Sequence, residues 1–276
     1  MIGTCRLCLS IGVQLQRSHL LSAAIYRVLR DNKRIANPNP IVLSPEGRVQ
    51  TSKQQWAHLL CRSCEAILSR EGEDWIFRYG MKNDDRFLLA DILRAIKPSV
   101  GTPTEHTRLY ESVLVPEINA DAITHFAVGM FWKASIYGWN TDGSVPVNLR
   151  GQDEEFRRFL LGQIGFPHKA VLAVMVREGG VIDKLTHTPA GIVGLETSTF
   201  QFPIPGFSFV LTLGENIPER ISQYCIVRGL GRPLVTTVAT EHFLFQQAQA
   251  AAVRAARPKV QSTRRKNPRK SDAGQG

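Results

Sequence analysis

Apolar residues in the first hundred positions come in short runs whose period changes every ten residues or so. In VQLQRSHLL, Val13, Leu15 and then Arg17 alternate with glutamine, the two-residue period of a strand. SAAIYRVLRD switches to helical spacing: Ser22 can cap it, Ile25, Val28 and Leu29 share a face, and the charged turn DNKR with the breaker NPNP ends it. IVLSPEGRVQ reads as a hairpin, with Ile41, Val42 and Leu43 before a Ser-Pro-Glu-Gly turn and Val49 after it. EAILSREGEDWIFRYG begins as a helix whose Ile67, Leu68, Trp75 and Ile76 face a core, weakened at Gly72.

A Pro, Gly and Thr-rich join, KPSVGTPTEH, marks a domain boundary at residues 97–106. Beyond it the pattern predicts a long apolar helix over residues 119–137 and an amphipathic helix in DEEFRRFLLGQIG. Strands then follow in KAVLAVMVRE, IVGLETSTFQFPI, GFSFVLTLG, YCIVRG and PLVTTVA. TEHFLFQQAQAAAVRAAR, with Thr240 as its cap, closes the fold as a helix. The expected class is therefore α+β with a mainly antiparallel sheet: one domain at 1–97, a second at 108–250 and a tail at 251–276. No repeat of 20 to 50 residues appears, which argues against a solenoid.

Composition adds two constraints. The chain has 276 residues, 43% of them hydrophobic, which suffices for one or two cores. Its longest apolar run, around residues 118–137, is broken by Asp121, His125 and Lys133, so no membrane span is expected, and the N-terminus lacks the pattern of a secretory signal. A soluble cytoplasmic protein follows as the expectation. The formal charge of +10 is concentrated at one end: after residue 250 eight Lys or Arg face Asp272 alone, leaving the body nearly balanced. That tail, poor in apolar residues, reads as disordered and able to act as a basic arm for phosphates.

The strongest chemical signal is a pair of C-x-x-C motifs, Cys5 with Cys8 and Cys61 with Cys64. Each can present two thiolates from one tight turn, and two such turns complete a tetrahedral all-thiolate site of the structural zinc type. The pairs are 52 residues apart, so the intervening helix and hairpin must fold back to unite them. Disulfides are the competing reading, disfavoured where thiols stay reduced. Cys225 reads as a small buried hydrophobe. His106, His125, His168, His187 and His242 show no ligand spacing, and the Phe126, Phe131, Trp132 and Trp139 stripe, although able to stack on bases, has the spacing of a core face.

The succession of a cysteine knuckle, a strand ending in His19, a hairpin and LLCRSCE at a helix start resembles the HNH or ββα-metal superfamily, whose zinc-stabilised members are treble clefs. The likeness covers residues 5–75. It also resembles, loosely, a group of uncharacterised bacterial proteins with this zinc module, through SHLL, LLC and CE and into FAVGMFWKASIYGW. The resemblance implies metal-dependent endonuclease chemistry on DNA or RNA. His19 would be the general base and Glu65 would bind a catalytic Mg or Mn ion, supplemented by His58, Glu71, Glu73 or Asp74. Ser18 stands where that family usually carries a metal-binding Asp or His, and Glu65 where it carries a His or Asn. Three readings stay open: an active nuclease, a noncatalytic nucleic-acid binder, and a protein-interaction adaptor that uses the treble clef as scaffold.

Overall fold

The computed structural model describes residues 1–30, 39, 41–44, 47–50, 53–80, 86–99, 107–139, 144–177, 186–192 and 198–237. Residues 100–106 of the expected join at 97–106, the closing helix after residue 240 and the basic tail lie outside them.

The N-terminal part opens with a two-residue strand, β1 (Ile2–Gly3), a tight turn holding Cys5 and Cys8, and β2 (Val13–His19). Helix α1 (Ala23–Leu29) follows, where Ser22 Oγ accepts from the Ala24 amide and Ile25 is the buried residue. The expected hairpin is present as β3 (Ile41–Ser44) paired antiparallel with β4 (Gly47–Gln50). Strand β5 (Trp56–Cys61) then pairs antiparallel with β2, giving the sheet order β1-β2-β5. Strict alternation in β2 would set Arg17 on the same face as Leu15. A register shift between these residues reverses that, so Leu15 and Ser18 are buried and Arg17 is exposed.

From β5 the chain enters one continuous helical stretch with a wide turn in its middle: α2 (Arg62–Leu68), a π-helical segment (Ser69–Glu73) and α3 (Asp74–Tyr79). The predicted weak point at Gly72 is a packing device. It presses on α5 (Ala120–Ser135), and a β-carbon there would sit 2.7 Å from the Phe126 amide nitrogen. A fourth short helix, α4 (Leu88–Arg94), buries Leu89, Ala90 and Leu93.

Helix α5 is the long apolar helix of the sequence, capped by Asn119 Oδ1 on the Ala122 amide at 2.9 Å. It is apolar nearly all round because it is covered on both sides. Phe126 meets Phe77 of α3 on one side and Phe202 and Phe209 of the large sheet on the other, with ring centroids 5.6–6.3 Å apart. The aromatic stripe is therefore core, Phe126, Phe131 and Trp132 being buried. Beside it, α6 (Asp153–Leu160) buries Phe156 and Leu160.

The large sheet contains β6 (Thr107–Glu111), β7 (Ala170–Val176), β8 (Ala190–Gly191), β9 (Ser198–Ile204), β10 (Phe207–Leu213) and β11 (Pro233–Thr237), ordered β6-β11-β7-β10-β9-β8. All pairs are antiparallel except β11 with β7. The hairpin of β9 and β10 turns on Pro205-Gly206, where Gly206 has φ 91°, a conformation that favours glycine. One expected strand is absent: YCIVRG forms hydrogen-bonded turns after the short helix α7 (Glu219–Ser222). Cys225 and Ile226 are buried there by turns, with the Ile226 amide donating to Leu172, and a short apolar run does not distinguish that from a strand. Buried residues form one continuous core from Cys5 to Leu234, and no helix among the described residues is long and apolar enough to cross a membrane.

Candidate metal centre and its surroundings

The four cysteine sulfurs lie within 4.8 Å of one another, and among the described residues they are the only group of three or more potential metal ligands. Local structure explains how Cys8 and Cys61, 53 positions apart, arrive together. Cys5 and Cys8 sit on a turn closed by the Leu9 amide donating to Cys5 O (2.9 Å) and the Cys5 amide donating to Ser10 O (3.0 Å). Cys61 ends β5 and is the N-cap of α2, and Cys64 follows in the first helical turn. The Arg6 amide bonds Leu59 O at 2.9 Å, so the knuckle is laid directly on β5.

This donor set can hold a metal ion, and its dimensions suit zinc. A tetrahedron with Zn–S bonds of ~2.3 Å has edges of ~3.8 Å, and Cys8 Sγ lies 3.9 Å from Cys61 Sγ. All five cysteines are free thiols. Cys5 and Cys64 form the inner side, 0% and 2% exposed, while Cys8 and Cys61 are half-buried. Burial raises the Cys5 thiol, and burial together with the three neighbouring thiols raises Cys64 strongly. At Cys8 burial acts upward too, but the Ser10 hydroxyl and amide and the Cys5 and Cys64 thiols hold it down to about 6. The Cys61 amide also donates to Cys5 Sγ at 3.3 Å, favouring the thiolate. Four thiolates so close together repel unless a cation sits among them.

The turn contains one unfavourable residue. Leu9 adopts φ 62°, which costs a residue with a side chain about 1–2 kcal/mol. Leu9 is half in solvent, so Leu9→Gly should raise stability by about 0.5–1 kcal/mol after the extra freedom glycine has when unfolded. A higher urea midpoint is the expected readout, and a lower one would show that the leucine side chain holds the turn.

His19 ends β2 as expected and is half-buried. Burial and the Lys133 charge, opposed by Glu65 and Glu73, put its pKa below the usual histidine value. Glu65 lies in the first turn of α2, but its carboxylate is engaged by the Ser18 hydroxyl, which also accepts from the Leu60 amide at 3.2 Å. Ser18 thus fastens the strand pair to the helix. The four supplementary residues are dispersed: Glu71 pairs with Arg70, Asp74 accepts from Ser69 Oγ, Glu73 lies 3.9 Å from Lys133 Nζ, and His58 packs on Trp56. No third ligand joins His19 and Glu65 among the described residues.

Two cations that the sequence reading left unassigned dock onto this module. Lys133 of α5, 3% exposed, donates to His19 O at 3.1 Å, and Arg157 of α6 donates to Leu7 O, between the first two cysteines, at 2.5 Å. The signal for Lys133 was its place as a cation in an otherwise apolar helix, where a buried charge needs a partner. Arg157 carries no such mark, since exposed helix faces are ordinarily charged. Comparison with known proteins finds no matching family model, no matching curated protein and no matching solved structure.

Proposed function

We propose that Cys5, Cys8, Cys61 and Cys64 hold a structural zinc ion in a treble-clef module, and that this module brings the protein to nucleic acid. The order of knuckle, strand pair and helix, with two ligands on the turn and two at the helix start, supports the zinc reading. Four protein thiolates leave no coordination position for water, so the ion's part is to join the knuckle to the helix.

The observation that carries the nucleic-acid reading is local charge. Residues 1–30 and 53–64 contain Arg6, Arg17, Arg27, Arg30, Lys53 and Arg62, all exposed, and not one Asp or Glu. Even with two negative charges for a zinc tetrathiolate, this part is positive. Such a concentration is hidden in the nearly neutral total for the body. Hydrolysis has less support: a neutral His19 suits a general base, but Glu65 is held by Ser18 and has no partner ligands nearby. A surface for a protein partner would not need the one-signed charge.

Fluorescence anisotropy of the full chain with labelled DNA at 50 and 200 mM salt tests this. Replacing Arg6 and Arg62 together with alanine should weaken binding and lower the slope of log affinity against log salt by up to about two, because each phosphate contact contributes about one. Unchanged affinity and slope would mean that neither Arg6 nor Arg62 meets a phosphate, which contradicts the charge argument that carries the reading. Incubation of the same protein with plasmid and Mg or Mn, beside His19→Ala, tests the hydrolytic extension: cleavage that survives the substitution removes His19 from any mechanism.

A further inference from the structure

The outward face of the β2 and β5 pair carries four side chains that the metal centre does not use. Directly opposed residues in an antiparallel pair share a face, and here His19 is opposite Trp56 and Arg17 is opposite His58. Ser18 and Ala57, the opposed pair between them, are buried. Arg17, His19, Trp56 and His58 therefore lie together on the other side. The Arg17 guanidinium carbon is 4.6 Å from the Trp56 ring centroid, and the His58 ring meets Trp56 edge-on at 5.5 Å and 83°.

Trp56 is the unusual member. It is 43% exposed, whereas Trp132 is buried and Trp75 and Trp139 are half-buried against the core. Core packing does not require an indole there, since the strand pair is closed on its inner face by Leu15, Ala57 and Leu59. The His58 ring stands nearly perpendicular to it, and the Arg17 cation covers it.

We propose that Trp56 is a stacking platform for an unpaired base and that Arg17 takes the adjoining phosphate, so that the nucleic acid this module binds is single-stranded. The proposal rests on the nucleic-acid reading above and adds the substrate class. Bases in a duplex have both faces covered by neighbours and present only edges and backbone, whereas an unpaired base offers a free face to an aromatic ring. The resting Arg17–Trp56 contact does not obstruct this. An exposed cation–π contact is worth a factor of only about 2 to 5, against about 5 to 150 for a stacked base. A base can therefore replace the guanidinium, which is then free to pair with the phosphate beside it. His19, opposite Trp56 in register, lies next to the nucleotide held there.

The test uses the zinc-loaded full chain and a labelled mixed-sequence 20-nucleotide DNA, alone and annealed to its complement. The expected result is a preference of at least about 5-fold for the single strand. Trp56→Ala should weaken single-strand binding by roughly 5- to 150-fold and leave duplex binding within about twofold, with Trp56→Phe keeping most of the affinity. Tryptophan emission should fall when the single strand binds to the wild type and not to Trp56→Ala. Full single-strand affinity in Trp56→Ala at unchanged zinc content would overturn the platform, as would equal loss for both probes, and either result leaves the nucleic-acid reading standing. Absence of binding to both probes by the wild type would overturn that reading as well and leave a protein partner.

Discussion

Cys64→Ser, produced in zinc-containing medium, is expected to carry no stoichiometric metal and to lose the ordered N-terminal module. Cys64 is the most enclosed helix ligand, and a hydroxyl in its place is a poor donor to zinc. Structural zinc supplies about 10–16 kcal/mol of apparent binding free energy in small zinc domains, comparable with the whole ~5–15 kcal/mol that separates folded from unfolded chains. Removing it releases the knuckle from α2, and the Arg6 and Leu9 backbone bonds that hold the turn are too few to keep it. Hydrogen exchange should show residues 1–30 and 56–68 unprotected. Acid should act in the same direction on the wild type, because the four ligands bind metal only as thiolates. Native protection in metal-free Cys64→Ser would mean that Leu7, Leu15 and Leu60 hold the module by packing alone.

The second large effect is expected at a position with no chemistry. Gly72→Ala should destabilise the protein by about 2 kcal/mol and Gly72→Val by about 3 kcal/mol, although both changes remove a glycine from a helix. Relieving glycine's poor helix propensity would by itself favour alanine by about 1 kcal/mol. Against it, the new carbon would stand 2.7 Å from Phe126 N and 2.9 Å from Phe126 Cα. These are backbone atoms of a buried helix, so no rotamer change relieves the clash and the two helices must part. The Glu73–Lys133 pairing and the Lys133 bond to His19 O would be disturbed with them. Urea unfolding of the two variants measures this, and stability equal to wild type would show that the π-helical segment can slide along α5.

Much of this arrangement was legible before any coordinates. The C-x-x-C spacing carried the four-cysteine cluster because thiol pairs on tight turns leave a mark in four residues. Ser22 marked a helix start by local capping chemistry, the apolar stretch from residue 119 marked α5, and β-branched or aromatic-rich runs bounded by Gly or Pro marked β7, β9 and β10. What was hidden depends on partners far along the chain. The bulge that turns Arg17 outward and Ser18 inward has no signature in VQLQRSH, since it is set by the register with β5. Gly72 reads locally as a weak helix, and only the approach of α5 shows why a side chain does not fit. Tyr224 to Gly229 looked like a strand because six residues cannot distinguish buried turns from buried strand. The expected roles of His19 and Glu65 came from a resemblance, and a resemblance carried no information about the hydroxyl of Ser18 occupying the carboxylate.

The whole account depends on a tetrathiolate zinc site, and X-ray absorption at the zinc edge, with elemental analysis of the same purified full-length sample, tests it most directly. One zinc per chain surrounded by four sulfurs at about 2.3 Å is the predicted result. A metal-free, folded chain, or a zinc shell containing nitrogen or oxygen ligands in place of any of the four cysteines, would contradict it.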